Sequence, residues 1–413
     1  MAMTRRSWLA AAGAAPLGVS LGAAAAPPAP DVSPLTLPAK AAFEPMAVTY
    51  LNSGTMHPFS LGARRAVESY LRSRAATPGA AHFGLDDTED RVRTRFAALI
   101  NAAPEEICLT QSTTAGEHLV VQALDIPASG GRIVTDTLHF FGSFYLYEEM
   151  AKRGMDVVWL RPRDGQRIAM ADIEAAIDKN TKLVAVSQVS TINGFQHDLK
   201  AICQVAHAHG AYVYADIAHA AGAVPVDVKD SGVDFAACAS YKWLMGDFGL
   251  GFLYARADLL DRIRRTQFGY YQLGAFQTHV FLGDPPGATI ADCTPRKDAT
   301  GHFATGTTSG AGVAQLDYSL DYIQKIGVER IASYRQPLLR RAREGLIRLG
   351  YQPMTPEECT SPLLTFVCQD AARLAPRLDH ANVKITLSRN RFRICPSIFN
   401  DEADIDRLIA ALS

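Results

Sequence analysis

One lysine lies between two aromatic residues at the end of an apolar run. Lys242 stands in "ACASYKWLMGDFGLGFLY", where three glycines follow it. Upstream, Asp216 ends another apolar run, "AYVYAD", and a polar turn, Ser112–Thr114, precedes a helical pattern. A desolvated lysine can act as a nucleophile, a carboxylate can pair with a cation, and hydroxyls at the start of a helix can bind an anion. The three features together could therefore build a site for a reactive, anionic ligand.

Each feature alone has a plainer explanation. An aspartate after a strand, or an "STT" turn, is most often a helix cap, and a lysine at a strand end is usually a solvated edge residue. In this order along the chain, however, they match the needs of pyridoxal phosphate. That cofactor requires a lysine for a Schiff base, a carboxylate for its ring nitrogen, a helix N-terminus for its phosphate and a flat side chain against its ring. The flat side chain is either His139 or its neighbour Phe140.

The elements that must position these residues alternate along the chain. From about residue 90 to 256, helical patterns alternate with apolar runs such as "GRIVTD", "KLVAVSQV" and "FAACASY". Apolar runs of this kind are typical of strands buried on both faces, so the sequence predicts an α/β sheet covered by helices, with ligands at the carboxyl ends of the strands. From about residue 310, long helices and short strands predict a smaller C-terminal α+β domain. The predicted boundaries are 46–310 for the N-terminal segment plus large domain and 311–413 for the connecting helix plus small domain.

Composition and charge exclude several classes of partner. The chain has 413 residues and a formal net charge of −1, which gives no electrostatic reason to expect nucleic acid or an anionic membrane as a partner. No cysteine and histidine spacing of the zinc-binding type is present, so no metal is expected. The seven cysteines are irregularly spaced and are interpreted mainly as buried thiols, not as a disulfide framework.

The N-terminus has the pattern of an export signal. Arg5 and Arg6 are followed by Trp8, Leu9 and a run of small residues that ends in "GAAAA". This pattern predicts a twin-arginine signal peptide over residues 1–25, a Pro-rich linker over 26–45, transport by the twin-arginine translocase and a periplasmic protein without stable membrane insertion after signal removal. The plainer alternative is a disordered Ala-rich tail.

Five motifs in one order resemble a known family. They are "YLNSGTMHP", "YADIAHAAGAVPVDV", "FAACASYKWLMGDFGLGFLY", "FATGTTSGAGVAQL" and "FRICPSIFNDEADIDRLIAAL". The chain thus resembles the class V aminotransferase family of fold-type I pyridoxal phosphate enzymes over nearly all of its length after the signal. Its compact C-terminal end and the "DIAHA" histidine resemble the isopenicillin-N-epimerase-like branch. The resemblance implies a mostly parallel seven-stranded sheet covered by helices.

The resemblance also implies roles for individual residues. Lys242 would hold the cofactor and move the proton at the α-carbon of the substrate, Asp216 would pair with the ring nitrogen, and His139 would stack on the ring unless Phe140 does so. His219 stands where many relatives have a glutamine beside the ring hydroxyl. The residues implied to hold the phosphate are Ser112, Thr113, Thr114, Ser240 and Tyr241. Thr191 falls near the position of an asparagine beside the ring oxygen in many relatives, with Asn193 close by.

The resemblance further implies a substrate site and a dimer. Arg393 would bind the carboxylate of the substrate, although Arg389 and Arg391 lie near it, and Asn52 in the opening motif is a second substrate-binding candidate. Gly306 and Thr307 would reach the phosphate bound by the neighbouring subunit, which makes a homodimer the expected unit. The aromatic stretch 267–284 would line either the substrate entrance or the dimer interface.

Several reactions fit this site. Transamination of an amino-acid-like or peptide-derived substrate with a carboxylate is the leading expectation, and epimerisation or cysteine C–S lysis is the alternative. A cysteine desulfurase needs a mobile nucleophilic cysteine before the carboxylate-binding arginine, but residues 373–391 contain none. Cys368 and Cys395 are better explained as packing residues. A pyridoxal phosphate fold that only binds is a further alternative, against which the intact lysine, aspartate and arginine argue.

Overall fold

A computed structural model describes residues 35–163 and 166–413, with the backbone alone for residues 80–86. The predicted signal peptide and residues 26–34 of the predicted linker lie outside this part of the chain. Export therefore stays a prediction, which fractionation of cells expressing the full chain would test. In the described part, no helix is both long enough and apolar enough to cross a bilayer.

Alternating strands and helices make up the first two thirds of the described chain. In chain order they are β1 (Thr49–Tyr50), α1 (Leu61–Ala76), α2 (Pro78–Leu99), β2 (Ile107–Thr110), α3 (Thr113–Ala123), β3 (Arg132–Asp136), α4 (Gly142–Lys152), β4 (Asp156–Leu160), α5 (Met170–Ala176), β5 (Thr181–Ser187), α6 (Leu199–Ala208), β6 (Tyr212–Asp216), α7 (Val228–Ser231), β7 (Phe235–Ala239) and β8 (Gly251–Ala255). This succession is the one expected from the alternating apolar runs.

A hairpin, two long helices and a small sheet follow. They are β9 (Leu273–Thr278), β10 (Ala291–Pro295), α8 (Ala299–Phe303), α9 (Gly310–Ile326), α10 (Val328–Arg348), β11 (Leu364–Val367), α11 (Ala371–His380), β12 (Val383–Lys384), β13 (Thr386–Leu387), β14 (Arg391–Ile394) and α12 (Glu402–Leu412). The aromatic stretch 267–284 forms β9 and the tip of the β9–β10 hairpin, where Phe281 and Leu282 are exposed. Its role at an entrance or an interface stays a prediction.

The central sheet has seven strands in the order β2-β8-β7-β6-β5-β3-β4. Neighbours from β7 to β4 pair in parallel, and β8 is antiparallel to both β7 and β2. All five residues of β7 and all five of β8 are buried, because helices cover both faces of the sheet. The fold class predicted from the sequence, a mostly parallel α/β sheet covered by helices, is confirmed.

Two apolar layers sandwich this sheet, and a third core lies in the C-terminal region. One layer contains Phe96 of α2 stacked on Phe252 of β8, with ring centroids 3.9 Å apart. The other layer contains Tyr147 of α4 and Phe235 of β7. The third core packs α10 and α12 against the antiparallel sheet β11-β14-β13. Strand β1 pairs with β12, so the segment that carries Asn52 joins the C-terminal region.

Candidate active site

Lys242 follows the end of β7, where the chain leaves the centre of the sheet. Its side chain is buried, and Nζ lies 3.0 Å from Nε2 of His219. Burial lowers the pKa of the amine, and the positive charge of Arg393 adds to this against the opposing effect of Asp216. A lysine with a lowered pKa spends more time as the free amine, which is the form that acts as a nucleophile or a base.

Asp216 ends β6, the strand beside β7. One carboxylate oxygen accepts a hydrogen bond from the backbone N–H of Ala218 at 2.9 Å, while Oδ2 lies 3.5 Å from Oγ of Ser187. Burial raises the pKa of this carboxyl although Lys242 and His139 favour its ionised form. A cationic partner beside Oδ2 would therefore gain a strong interaction with a carboxylate that is poorly solvated.

His139 belongs to a buried series of hydrogen bonds that also contains Ser187 and Asp216. Nε2 of His139 is 2.9 Å from Oε1 of Glu117, and Nδ1 is 2.8 Å from Oγ of Ser187. Tyr147 donates to the same oxygen of Glu117 at 2.6 Å, and Ser143 donates to the other oxygen. Burial opposes both charges, but each charge offsets the cost of the other, so the pKa of Glu117 is lowered and that of His139 is raised. The positive charge of His139 in this pair favours the ionised form of Asp216.

His139 and Phe140, the two candidates predicted to stack on the cofactor ring, differ in their exposure. His139 has no exposed surface, so neither face of its ring is open to a ligand. Phe140, the alternative, is only half-buried, and its ring centroid lies 5.9 Å from Nζ of Lys242. The ring that faces the lysine is therefore that of Phe140, and His139 is linked to Asp216 through the hydroxyl of Ser187. Which of the two rings stacks on the cofactor stays a prediction.

The Ser112–Thr114 turn begins α3, as the polar turn predicted. Oγ of Ser112 caps the helix by accepting from the N–H of Ala115 at 3.1 Å, and Oγ1 of Thr113 accepts from the N–H of Ala239 at the end of β7. The second contact fixes the helix N-terminus beside the strand that leads to Lys242. Ser112 and Thr114 line a cavity of about 1030 Å³, which places hydroxyls and the positive end of the helix at its wall.

Two groups of residues predicted at the phosphate differ in their placement. Gly306 and Thr307 line the same cavity as Ser112 and Thr114 of the same chain, and their contact with a neighbouring subunit stays a prediction. Ser240 has no exposed surface and donates its hydroxyl to the carbonyl of Asp247 at 2.7 Å, so it holds its own loop and does not face a ligand. The ring of Tyr241 packs against Phe248, with centroids 4.5 Å apart.

Arg393 on β14 reaches from the C-terminal region toward the sheet edge. Its guanidinium donates to the carbonyl of Thr191 at 3.1 Å, to Oγ1 of Thr55 at 2.9 Å and to Oγ1 of Thr386 at 3.2 Å. Asn52 accepts from the hydroxyls of Thr55 and Thr386 and so orients them. Among the described residues no carboxylate pairs with Arg393, and its Nε has no hydrogen-bond partner. A buried guanidinium in this state is suited to bind a carboxylate ligand.

Thr191 contacts Arg393, and its predicted place beside the cofactor ring stays a prediction. Both the carbonyl and the hydroxyl of Thr191 accept from the guanidinium. Asn193 has no exposed surface and closes a local turn, since it donates to the carbonyl of Gln166 and accepts from the N–H of Phe195. Thr191 therefore orients the arginine, and Asn193 shapes the loop.

Sequence reasoning missed four residues that support this site. They are Glu117, Ser187, Thr55 and Thr386. Glu117 carried a signal, because a carboxylate stands inside the apolar helical stretch "AGEHLVVQAL". Ser187 ends the buried run "KLVAVS", at the same sheet edge as Asp216. The two threonines carried no signal, since isolated threonines are common in loops.

Replacing Glu117 with glutamine is expected to lower the free energy of unfolding by about 3 kcal/mol, because it leaves a buried cation without its partner. The lowered pKa of Glu117 means that its contribution is present above its unfolded pKa and lost as pH falls through its folded pKa. The raised pKa of His139 means that its contribution is present below its unfolded pKa and lost as pH rises through its folded pKa. Urea unfolding at pH 6 measures the change.

The matched control is Glu149→Gln on α4. Glu149 is a surface carboxylate, 2.7 Å from Nζ of Lys152, and its loss is expected to change the free energy of unfolding by less than about 1 kcal/mol. Equal effects of the two substitutions would contradict the buried ion pair.

A family model and several curated relatives match this chain. The model of the aminotransferase class-V family matches residues 64–387. A probable cysteine desulfurase of Methanothermobacter thermautotrophicus is 29% identical over 293 residues, which are 69% of this chain and 69% of the relative. A cysteine desulfurase of Dickeya dadantii is 32% identical and covers 62% of this chain and 60% of its own length.

Solved structures share the fold at lower sequence identity. The cysteine desulfurase CsdA of Escherichia coli superposes with a TM-score of 0.79 at 21% identity, covering 91% of this chain and 97% of that chain. The cystine C–S lyase C-DES, in complex with its product cysteine persulfide, superposes with a TM-score of 0.76 at 23% identity, covering 89% of this chain and 97% of that chain. At these identities the likeness establishes the fold.

Proposed function

The chain belongs to the aminotransferase class-V family of pyridoxal-phosphate-dependent enzymes, and from this premise we propose that it cleaves the carbon–sulfur bond of a cysteine-type amino acid. The observation that carries the proposal is a buried lysine that senses both the carboxylate of Asp216 and the guanidinium of Arg393, which has no carboxylate partner among the described residues. Residues 373–391, which precede that guanidinium, contain no thiol. The reported curated relatives are named cysteine desulfurases, which favours a sulfur-containing substrate. The same names favour cysteine C–S lysis, the alternative expected from the sequence, over transamination.

The residues at the sheet edge fit the cofactor. The amine of Lys242 would hold it covalently, Asp216 would pair with its ring nitrogen, and Phe140 would face its ring. Ser112 and Thr114 at the N-terminus of α3 would hold its phosphate. The donor set is the test of fit, because the buried carboxylate of Asp216 can pair with a cationic ring nitrogen and the capped N-terminus of α3 can bind an anionic phosphate. When bound, pyridoxal phosphate supplies an electron sink for the bonds at the α-carbon.

Arg393 would bind the carboxylate of the substrate. Its planar fork can hold both carboxylate oxygens, and the hydroxyls of Thr55 and Thr386 fix the direction of that fork. Burial of the guanidinium reduces the competition from water for this contact. This contact would orient the amino acid with its α-hydrogen toward a single side chain. Lys242 is the candidate for that side chain.

Lys242 would take the α-proton as its free amine, the form that burial favours. The electron pair released at the α-carbon forms a double bond to the β-carbon, and the β-carbon–sulfur bond breaks with its electron pair on sulfur. Water then releases the three-carbon remainder as pyruvate and ammonia. For cysteine, the balance is cysteine plus water giving pyruvate, ammonia and hydrogen sulfide. For cystine, the sulfur product is cysteine persulfide.

The placement of the cysteines separates this reaction from a persulfide relay. Residues 373–391 contain no cysteine, and Cys368 and Cys395, which flank this segment, have exposed fractions of 3% and 0%. Thiols buried to this extent are not placed to attack sulfur at the cofactor and then pass it on. Sulfur would therefore leave the site on a small molecule.

Product analysis tests the proposal. Purified enzyme loaded with cofactor is expected to form pyruvate and ammonia in equal amounts from L-cysteine or L-cystine. L-alanine is the control, because it has the same α-hydrogen and carboxylate but no leaving group at the β-carbon. Alanine as the product would instead indicate a desulfurase, a D-isomer would indicate an epimerase, and a keto acid formed only with an added acceptor would indicate an aminotransferase. Each of these outcomes would overturn C–S lysis.

A further inference from the structure

Three buried side chains, those of Trp243, His219 and Lys242, form a row that ends at the reactive amine. Nε1 of Trp243 lies 3.3 Å from Nδ1 of His219, and Nε2 of His219 lies 3.0 Å from Nζ of Lys242. Trp243 and His219 have exposed fractions of 2% and 3%. Since water has little access to any of the three polar groups, their hydrogen bonds must be satisfied within the row.

The donors and acceptors of this row allow one consistent assignment. An indole N–H can only donate, so Nδ1 of His219 must accept and carries no hydrogen. Burial, together with the positive charges of Lys242 and Arg393, lowers the pKa of His219 well below its usual value, so the imidazole is neutral. A neutral imidazole with a bare Nδ1 carries its hydrogen on Nε2. His219 therefore donates to Nζ of Lys242, which accepts only as the free amine.

The opposite assignment places two donors face to face. A protonated Lys242 would have to donate to Nε2 of His219, which moves the imidazole hydrogen to Nδ1. That hydrogen would then point at the indole N–H of Trp243, and both buried donors would lose their partner. The row thus disfavours the protonated lysine by geometry.

The indole itself is held in place from its other side. The guanidinium of Arg335 lies 4.9 Å from the Trp243 ring centroid and donates to the carbonyl of Ala223. Gly222 adopts φ +80°, and a Cβ at this position would lie 2.8 Å from the carbonyl oxygen of Trp243. The tryptophan backbone and ring therefore have little freedom to turn the N–H away from His219.

We propose that Trp243 is a positioning residue, which fixes the Nε2–H tautomer of His219 and thereby keeps Lys242 in its free-base form. The proposal rests on the role of Lys242 as the cofactor-binding lysine, and it is independent of which substrate bond is cleaved. The other titratable or charged groups that face or influence Lys242 are Asp216, Arg393, Cys238, Cys395 and Tyr241. None of them lies in the row. Cys395 packs in the same apolar cluster as Trp243, and phenylalanine at position 243 keeps a ring in that cluster.

The test combines Trp243→Phe with His219→Gln in a double-mutant cycle. Phenylalanine keeps the packing of a flat ring and removes the N–H. In the enzyme loaded with cofactor, the visible band of the cofactor reports whether Nζ of Lys242, to which the cofactor is bound, carries a proton. The pH midpoint of this band is expected to rise by about 0.5 to 1 unit in Trp243→Phe, the size of one lost hydrogen bond. In the His219→Gln background, Trp243→Phe is expected to add no shift. An equal shift in both backgrounds would assign the effect to packing alone and overturn the proposal.

Histidine ¹⁵N resonances of the loaded wild-type enzyme provide a second readout that does not depend on folding of Trp243→Phe. The signals of His219 are identified by their disappearance in His219→Gln. They are expected to report a bare Nδ1 and a protonated Nε2, whereas a protonated Nδ1 would overturn the proposal. Failure of the C–S lysis assay would leave both readouts intact, so the two proposals fail separately.

Discussion

Replacing Lys242 with alanine is expected to lower kcat/KM for a cysteine-type substrate by about 10³-fold or more. The substitution removes the only amine within 3.0 Å of His219 in the described structure, and with it the group placed to attack the cofactor and to take the α-proton. The neighbouring carboxylate of Asp216 does not replace it as the base, since that carboxylate is engaged at the ring nitrogen in the proposed arrangement. Steady-state formation of pyruvate measures the loss.

Two variants sharpen the interpretation of that loss. Lys242→Arg keeps a long polar side chain but is not expected to recover turnover, because a guanidinium stays protonated and is not nucleophilic. Lys229→Ala is the matched control, since Lys229 lies on the exposed surface of α7 and is expected to keep normal turnover. Turnover in Lys242→Ala within a few-fold of the wild type would contradict the assigned role.

Replacing Arg393 with alanine is expected to lower kcat/KM by about 10²- to 10³-fold, the range for losing one partner of a buried charged contact. The effect should depend on the substrate carboxylate. Wild-type enzyme is expected to prefer cysteine strongly over cysteamine, which has the same amine and thiol without the carboxylate. In Arg393→Ala that preference should collapse, because the group that distinguishes the two substrates is gone. Parallel kinetics with both substrates measure the change.

The control for Arg393 is its neighbour Arg389. Its side chain is exposed, and Arg389→Ala is expected to keep both the turnover and the preference for cysteine. A preserved preference in Arg393→Ala, or a lost preference in Arg389→Ala, would contradict the carboxylate assignment.

The fold and the central pair of the site were accessible from the sequence for a physical reason. Apolar runs that lack alternation belong to strands buried on both faces, and the residues that end such strands meet at one edge of a parallel sheet. Asp216 and Lys242 end or follow β6 and β7, which are neighbours in the sheet, so their proximity follows from the topology. The capped start of α3 at Ser112 followed from its turn residues in the same way.

The direction in which individual side chains point could not be predicted from the sequence. His139 and Phe140 are consecutive, and which of them faces the lysine depends on Glu117 and Ser187, contributed by α3 and β5. Similarly, the hydroxyl of Ser240 turns to the carbonyl of Asp247, a contact formed only when the loop after β7 closes. Such choices are made by tertiary hydrogen bonds, which local patterns do not encode.

The hydrogen-bond partners of Arg393 could not be predicted from the sequence either, because they lie far apart along the chain. Thr55 and Thr191 come from two separate loops and Thr386 comes from β13, and all three converge on one guanidinium. Each threonine is unremarkable in its own segment, and their meeting depends on how the C-terminal region packs on the sheet. The arginine could be proposed from a family motif, but its hydroxyl partners required the structure.

The central claim is that Lys242 carries pyridoxal phosphate at the end of β7. Borohydride reduction of the purified enzyme, followed by proteolysis and mass spectrometry, tests it most directly, because reduction makes the bond between the lysine and the cofactor permanent. The account predicts one modified peptide, which contains "ASYKW" and carries the cofactor on Lys242. A cofactor attached to another lysine, or no modified peptide after incubation with pyridoxal phosphate, would contradict the account.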